Sequence, residues 1–268
     1  PVVPRDTQSA SGVGSQRREK GTYTMNDVAA SMTPITPAEP AAGRRLLAPL
    51  WHTAVLIAFF LALAAYGAYA QNTAGAGPQP VGHRGSAVPL YLGVIAGQWG
   101  LIRFVMLGLR KSGTRLRDLL GERWSSWKDV ARDVLIALTV WALWMAGEAF
   151  MAQRLGTGKD LSSLLPRGPA EIALWIAVSV TAGFAEETIF RGYLQKQFVA
   201  LTGSALAAVL IQAVIFGVSH GYQGLRNVIT ISVFGAVFGV LAWWRRSLKP
   251  GIVLHAWTDI FSGIVTRG

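Results

Sequence analysis

The chain has 268 residues, 51% hydrophobic and only 15% charged, with no cysteine and a formal charge of +11. Soluble domains carry about a quarter charged residues, so this composition suits a lipid solvent. The absence of cysteine excludes disulfides, thiolate metal sites, a cysteine nucleophile and lipidation at cysteine. The positive charge sits in short stretches beside apolar runs, which points to membrane topology and away from nucleic acid.

Residues 1–45 are rich in Ser, Thr, Pro, Gly and Ala without helical or strand periodicity, and read as a disordered tail. Nothing in the tail reads as a signal peptide, because the first apolar run is too long and has no clear cleavage site. Residues 46–268 read as one integral membrane domain, an all-α polytopic bundle. A bilayer core about 30 Å thick needs roughly 20 apolar residues in helix. Seven spans are expected: Pro49–Ala70, Pro89–Leu109, Val130–Met151, Pro169–Val199, Ser204–His220, Leu225–Trp244 and Pro250–Val265. Helices are required, since an open sheet would leave backbone groups unpaired in lipid and no run alternates like a barrel strand. Between the second and third spans, Thr114–Asp129 carries Leu116, Leu119, Leu120, Trp124 and Trp127 among many charges, the pattern of an amphipathic surface helix. Arg44, Arg45, the basic connection from Arg110 to Lys128, and Arg245, Arg246 and Lys249 fall on alternate connections. Basic loops stay inside, so the N-terminus is expected in the cytoplasm.

An ionisable residue inside a span usually has a function or a partner. The fourth span holds Glu186, Glu187 and Arg191; the fifth ends on His220; the seventh carries His255 and Asp259. Glu187 and Arg191 share a helical face, Glu first, the favourable order for an ion pair. Glu186 lies about 100° around the helix and is free to point elsewhere. His255 and Asp259 also share a face. Glu186 and His220 each lie seventeen residues from the turn at Gly203, which puts them at similar depth, whereas His255 lies eight residues past Ser247 and is expected shallower unless its helix starts deeper. Taken singly, each feature has a structural reading: a bracing ion pair, a histidine bonded to backbone, an aspartate satisfying a histidine. Three such elements on three spans point to a site. Arg103 and Glu148 are explained by snorkelling or packing, and His52 by an interfacial position at the start of the first span.

Glu186-Glu187-x-x-x-Arg191, then Phe216-x-x-x-His220, then His255-x-x-x-Asp259, on successive membrane helices, resembles the CPBP family of type II CAAX prenyl endopeptidases, bacteriocin-processing and abortive-infection-like proteins. The resemblance covers roughly residues 170–265, and Asp259 stands where many members carry Asn. It implies an intramembrane endopeptidase acting on membrane-associated, prenylated or lipidated peptides. Glu186 would be the general base on water, His220 would orient that water, and His255 and Asp259 would stabilise the oxyanion, with Glu187 and Arg191 in support. Glu186, His220, His255 and Asp259 are also candidate ligands for a divalent metal such as zinc, and a metal-free site is equally consistent with the motifs. The expected partners are membrane lipid and a membrane-associated peptide or protein, with no nucleic acid, in the plasma (inner) membrane. Two other classes compete. A non-catalytic binding or immunity module would keep the cavity without turnover. A proton-coupled transporter would use the carboxylates as a relay, but no internal repeat supports it. Ser219 is not read as a nucleophile, since it faces away from His220 on a helix.

Overall fold

The computed structural model describes residues 45–73, 85–156 and 162–265, so the tail expected over residues 1–45 lies, Arg45 apart, outside the described residues. Regular structure among them is helical throughout: α1 Leu50–Thr73, α2 Val88–Leu109, α3 Leu116–Leu120, α4 Trp127–Leu155, α5 Pro169–Glu186, a π-helical segment Glu187–Leu194, α6 Gln195–Thr202, α7 Ala205–Ser219, α8 Leu225–Arg245 and α9 Lys249–Val265. Every expected span is a helix. Five of them are long and apolar enough to cross a bilayer, namely Leu50–Tyr69, Val88–Ser112, Trp127–Arg154, Pro169–Thr202 and Leu225–Arg245. The other two, α7 with 15 residues and α9 with 17, reach only about 22 and 26 Å.

The amphipathic stretch differs from the expectation in extent. The stretch is broken into Leu116–Leu120 and the first turn of α4 at Trp127, because Gly121 turns the chain at φ 87°, a conformation that side chains resist. Ser126 then starts α4. Its hydroxyl accepts the Asp129 N–H at 3.4 Å while Asp129 accepts the Ser126 N–H at 3.2 Å, a capping box.

Large apolar side chains such as Trp51, Leu63, Leu143, Trp243 and Trp244 face outward, where lipid solvates them. In lipid, outward apolar surface gives no drive for helices to associate; close backbone contact and interhelical hydrogen bonds do that work. Gly183 of α5 meets α9 so closely that a Cβ there would lie 2.9 Å from Ala256 N and 3.0 Å from Ile252 O. Gly217 of α7 meets α8 likewise, with Val228 O 2.5 Å from where a Cβ would be. Amides bridge the remaining gaps. Gln212 donates to Gly235 O at 2.9 Å and Gln195 donates to Gly239 O at 3.0 Å, tying α7 and α6 to α8.

One such bridge corrects the interfacial reading of His52, which is buried. Its Nε2 sits 2.9 Å from Phe104 O, an acceptor only, so Nε2 carries the proton. Nδ1 therefore accepts from the Tyr193 hydroxyl at 3.1 Å. Tyr193 in turn accepts from Thr53 Oγ1 at 2.8 Å, and Thr53 accepts from Gln197 Nε2 at 3.1 Å. Gln197 Oε1 takes the N–H groups of Leu47 and Ala48. The chain of bonds runs in one direction and fixes the entry of α1 to α2, the π segment and α6.

The same end of the bundle gathers the basic connections. Leu248 N donates to Leu120 O at 3.1 Å, Lys196 Nζ to Asp118 O at 3.1 Å, and Lys249 to Glu122 O. Arg245 pairs with Asp133 at 2.8 Å. At the opposite end of α4 and α8, Arg226 pairs with Glu148 at 2.5 Å, so Glu148 does more than fill space.

Replacing Gly183 with Leu is expected to lower the thermal midpoint of the detergent-solubilised protein, by about 1–3 kcal/mol of overpacking or more, because the atoms it meets are backbone. An unchanged midpoint in a thermal-unfolding scan would contradict the close α5–α9 crossing.

Candidate active site

Glu186 is the last residue of α5, and the next eight residues, Glu187–Leu194, run as a wider π turn with Gln195 N bonding Phe190 O. All eight are buried. An inserted wide turn of this kind is frequent at functional sites and turns the following side chains relative to a regular helix. Here it sends Glu187 and Arg191 inward while Glu186 keeps the α5 orientation.

At the centre is His255. Its Nδ1 lies 3.0 Å from Glu187 Oε1, and Arg191 Nη1 lies 3.0 Å from that same oxygen. The Arg191 and Glu187 side chains are 0% and 1% exposed. Arg191 Nη2 also donates to Gly235 O at 3.3 Å, and the guanidinium stacks 4.3 Å from the Phe216 ring centre. A carboxylate on Nδ1 holds the imidazole in one orientation and keeps that proton in place. Phe216, Phe234 and Phe238 stand edge-on around the ring, with centroids 6.1, 5.9 and 5.7 Å away. Gly251 lets Glu187 fit, since a Cβ there would lie 3.1 Å from Glu187 Oε2.

The other nitrogen, Nε2, faces two more carboxylates, Glu186 Oε2 and Asp259 Oδ2, each 3.7 Å away. Both distances exceed a direct hydrogen bond. These carboxylates are the accessible ones: the side chains of Glu186 and Asp259 are 16% and 36% exposed, that of His255 6%. The site is therefore layered, with a sealed Arg191–Glu187 pair, an oriented imidazole, and two outer carboxylates within reach of a reactant.

His220 ends α7 and does not touch this group of carboxylates by hydrogen bond or ion pair. Its Nδ1 lies 2.9 Å from Phe216 O, again an acceptor only, so Nδ1 carries the proton and Nε2 keeps its lone pair. Ser219 Oγ lies 3.2 Å from His220 Nδ1, nearer than its position on the helix suggested, but it donates to Phe216 O at 2.7 Å and meets a protonated nitrogen. No base is offered to it. His220 and His255 share the Phe216 ring, at 4.9 and 6.1 Å.

His255 reaches Glu186 because its helix starts deeper, the alternative left open by the count from Ser247. The rod from Pro169 to Thr202 has 34 residues, about 51 Å of helix, far more than an apolar core. Its Gly203 end overshoots the Ser247 turn, which is held at the level of α3 by the Leu248–Leu120 bond. His255 and Glu186 thus meet although their counts from the two turns differ.

Three contributors were not foreseen. Gln98 of α2 donates to Glu186 Oε1 at 2.8 Å. Trp175 of α5 donates its indole N–H to the backbone oxygen of Asp259 at 2.9 Å. Tyr222, in the turn after His220, lies 6.1 Å from the His220 ring. Burial pushes the Tyr222 phenol above its ordinary pKa, a hydrogen bond from Gln223 pulls it back, and the charges of Glu186 and Asp259 push it further up. Gln98 had a sequence signal, an uncharged polar residue midway along an apolar span, which a search confined to ionisable residues passes over.

Among the described residues no group of three or more His, Asp and Glu side chains is arranged to hold a metal ion. Of Glu186, His220, His255 and Asp259, the structure gathers Glu186 and Asp259 at His255 Nε2 and leaves His220 bonded to Phe216 O.

Residues 168–261 match the family model described as type II CAAX prenyl endopeptidase Rce1-like. No curated protein and no solved structure matches the chain.

Arg191→Met should destabilise the protein by about 3–5 kcal/mol, because it leaves Glu187 charged and sealed from water. Adding Glu187→Gln should restore part of that loss. Thermal unfolding of the purified single and double variants checks both statements, and equal midpoints for the two would show that the pair does not carry the charge balance.

Proposed function

We propose that this chain, an integral membrane protein whose residues 168–261 are an Rce1-like domain, is an endopeptidase that hydrolyses peptide bonds of membrane-associated, prenylated or otherwise lipidated substrates. The observation that carries the reading is the division of the carboxylates by access: Glu187 is sealed against Arg191, while Glu186 and Asp259 converge on His255 from the accessible side.

In this reading Glu186 Oε2 accepts a proton from a water molecule as its oxygen bonds to the substrate carbonyl carbon. His220 Nε2, with its lone pair free, helps to orient that water. The carbonyl oxygen takes up negative charge, which the His255 imidazolium, protonated on Nδ1 beside Glu187 and on Nε2 beside Glu186 and Asp259, stabilises by donating from Nε2. Asp259 keeps the imidazole turned toward the reacting atoms. Glu186 then passes its proton to the leaving amine as the C–N bond breaks. Glu187 and Arg191 hold His255 throughout. A positioned carboxylate base contributes about 10²–10⁴-fold and a single oxyanion donor about 10²–10³-fold. No step is routed through a metal. The basic end of the bundle faces the cytoplasm of the plasma (inner) membrane in this reading, consistent with the charge of its loops. Residues 46–268 act as one peptidase domain, and substrate selection takes place inside the membrane.

The test compares new peptide termini in membranes of cells expressing the wild-type chain or Glu186→Gln at equal level. Termini that depend on Glu186, and fall about 10²-fold or more in the variant, are expected. Identical termini in both samples would remove Glu186 as the base and favour a module that binds apolar peptides without turnover.

A further inference from the structure

The catalytic reading assigns no work to α2, yet this helix makes the shortest contact to the base. Gln98 sits midway along Val88–Leu109, and its amide reaches Glu186 Oε1 at 2.8 Å. The group facing Glu186 is the NH₂ end, because a carboxylate oxygen accepts and cannot bond to the amide oxygen. Trp99 beside it packs 5.8 Å from Phe184, which anchors this stretch of α2 to α5. The other end of the amide, Oε1, is buried without a hydrogen-bond partner among the described residues. A buried acceptor left unbonded is unfavourable, so Oε1 is poised to take a hydrogen from whatever enters beside Glu186.

We propose that Gln98 is the positioning residue of the base, a role that rests on the hydrolytic reading above. Its N–H occupies Glu186 Oε1 and so fixes Oε2, the oxygen 3.7 Å from His255 Nε2, as the one that accepts the proton. Its amide oxygen shares with His220 Nε2 the hydrogen of the water that Glu186 does not take. The water is then held by both of its hydrogens, with its lone pair directed at the carbonyl carbon. The assignment also explains a polar side chain midway along an apolar span, next to the outward-facing Gly97.

Two substitutions at Gln98 test it, read as initial rates of the Glu186-dependent termini in isolated membranes across a range of pH. Gln98→Leu removes both hydrogen bonds at similar size, and the maximal rate should fall about tenfold to a hundredfold with little change in the substrate concentration needed for half of it. Gln98→Glu sets a second carboxylate against Glu186. The two then share a proton, and the acid limb of the rate profile should move up by about one pH unit or more. The position of that limb does not depend on how much protein folds, so it remains readable if the Leu variant is unstable. A Leu variant within twofold of wild type, or a Glu variant whose profile superimposes on it, would overturn the role of Gln98. Should Glu186→Gln itself stay active, the hydrolytic reading fails. Should Glu186→Gln be inactive while both Gln98 variants behave as wild type, only the positioning role fails.

Discussion

The arrangement of the site depends on one ion pair that no solvent reaches. Arg191 and Glu187 are each buried to within 1% of their side-chain surface, and neither charge would survive there alone. Taking a charge from water to the protein interior is unfavourable by several kcal/mol per ion even after relaxation. The pair offsets this with a 3.0 Å contact, a bond to Gly235 O and the Phe216 ring. Because Glu187 Oε1 is shared between Arg191 and His255, the requirement that neutralises a buried charge also sets the direction of the imidazole.

From that centre the fold radiates in a consistent way. The π segment supplies both members of the pair and Tyr193, the middle link of the hydrogen-bond chain to α1 and α2. Gly235 accepts from Arg191 on one side and from Gln212 on the other, so α8 is tied to the ion pair and to α7 by one carbonyl. Gly183 brings α9 near enough to α5 for His255 to reach Glu186. Function and packing therefore draw on the same few residues, and the accessible carboxylates are the exception to burial that a reactant needs.

Much of this was legible in the sequence. Apolar run length gave the helices and their order, and helical spacing gave the Glu187–Arg191 pair and the separate direction of Glu186. The family motifs named the side chains that the structure brings to His255, and the match over residues 168–261 supports that family. What was not legible came from three-dimensional context. No local pattern marks the π turn, whose eight residues read as ordinary helix. Counting from turns left the depth of His255 open, because it does not say at what level each turn lies. His52 looked interfacial because its partners, Tyr193 and Phe104, are distant in sequence. The count from turns paired His220 with Glu186, whereas in the structure His255 is the histidine that faces the carboxylates.

Three joints between helices are made of glutamine amides: Gln195 and Gln212 to carbonyls of α8, and Gln197 to the entry of α1. An amide carries no ionisable proton. Acid or alkali that alters the charge of Glu186 and Asp259 leaves those joints chemically unchanged. Other joints, at His52, at Arg245–Asp133 and at Arg226–Glu148, are made by groups that carry or can gain charge, so the scaffold combines bonds of both kinds.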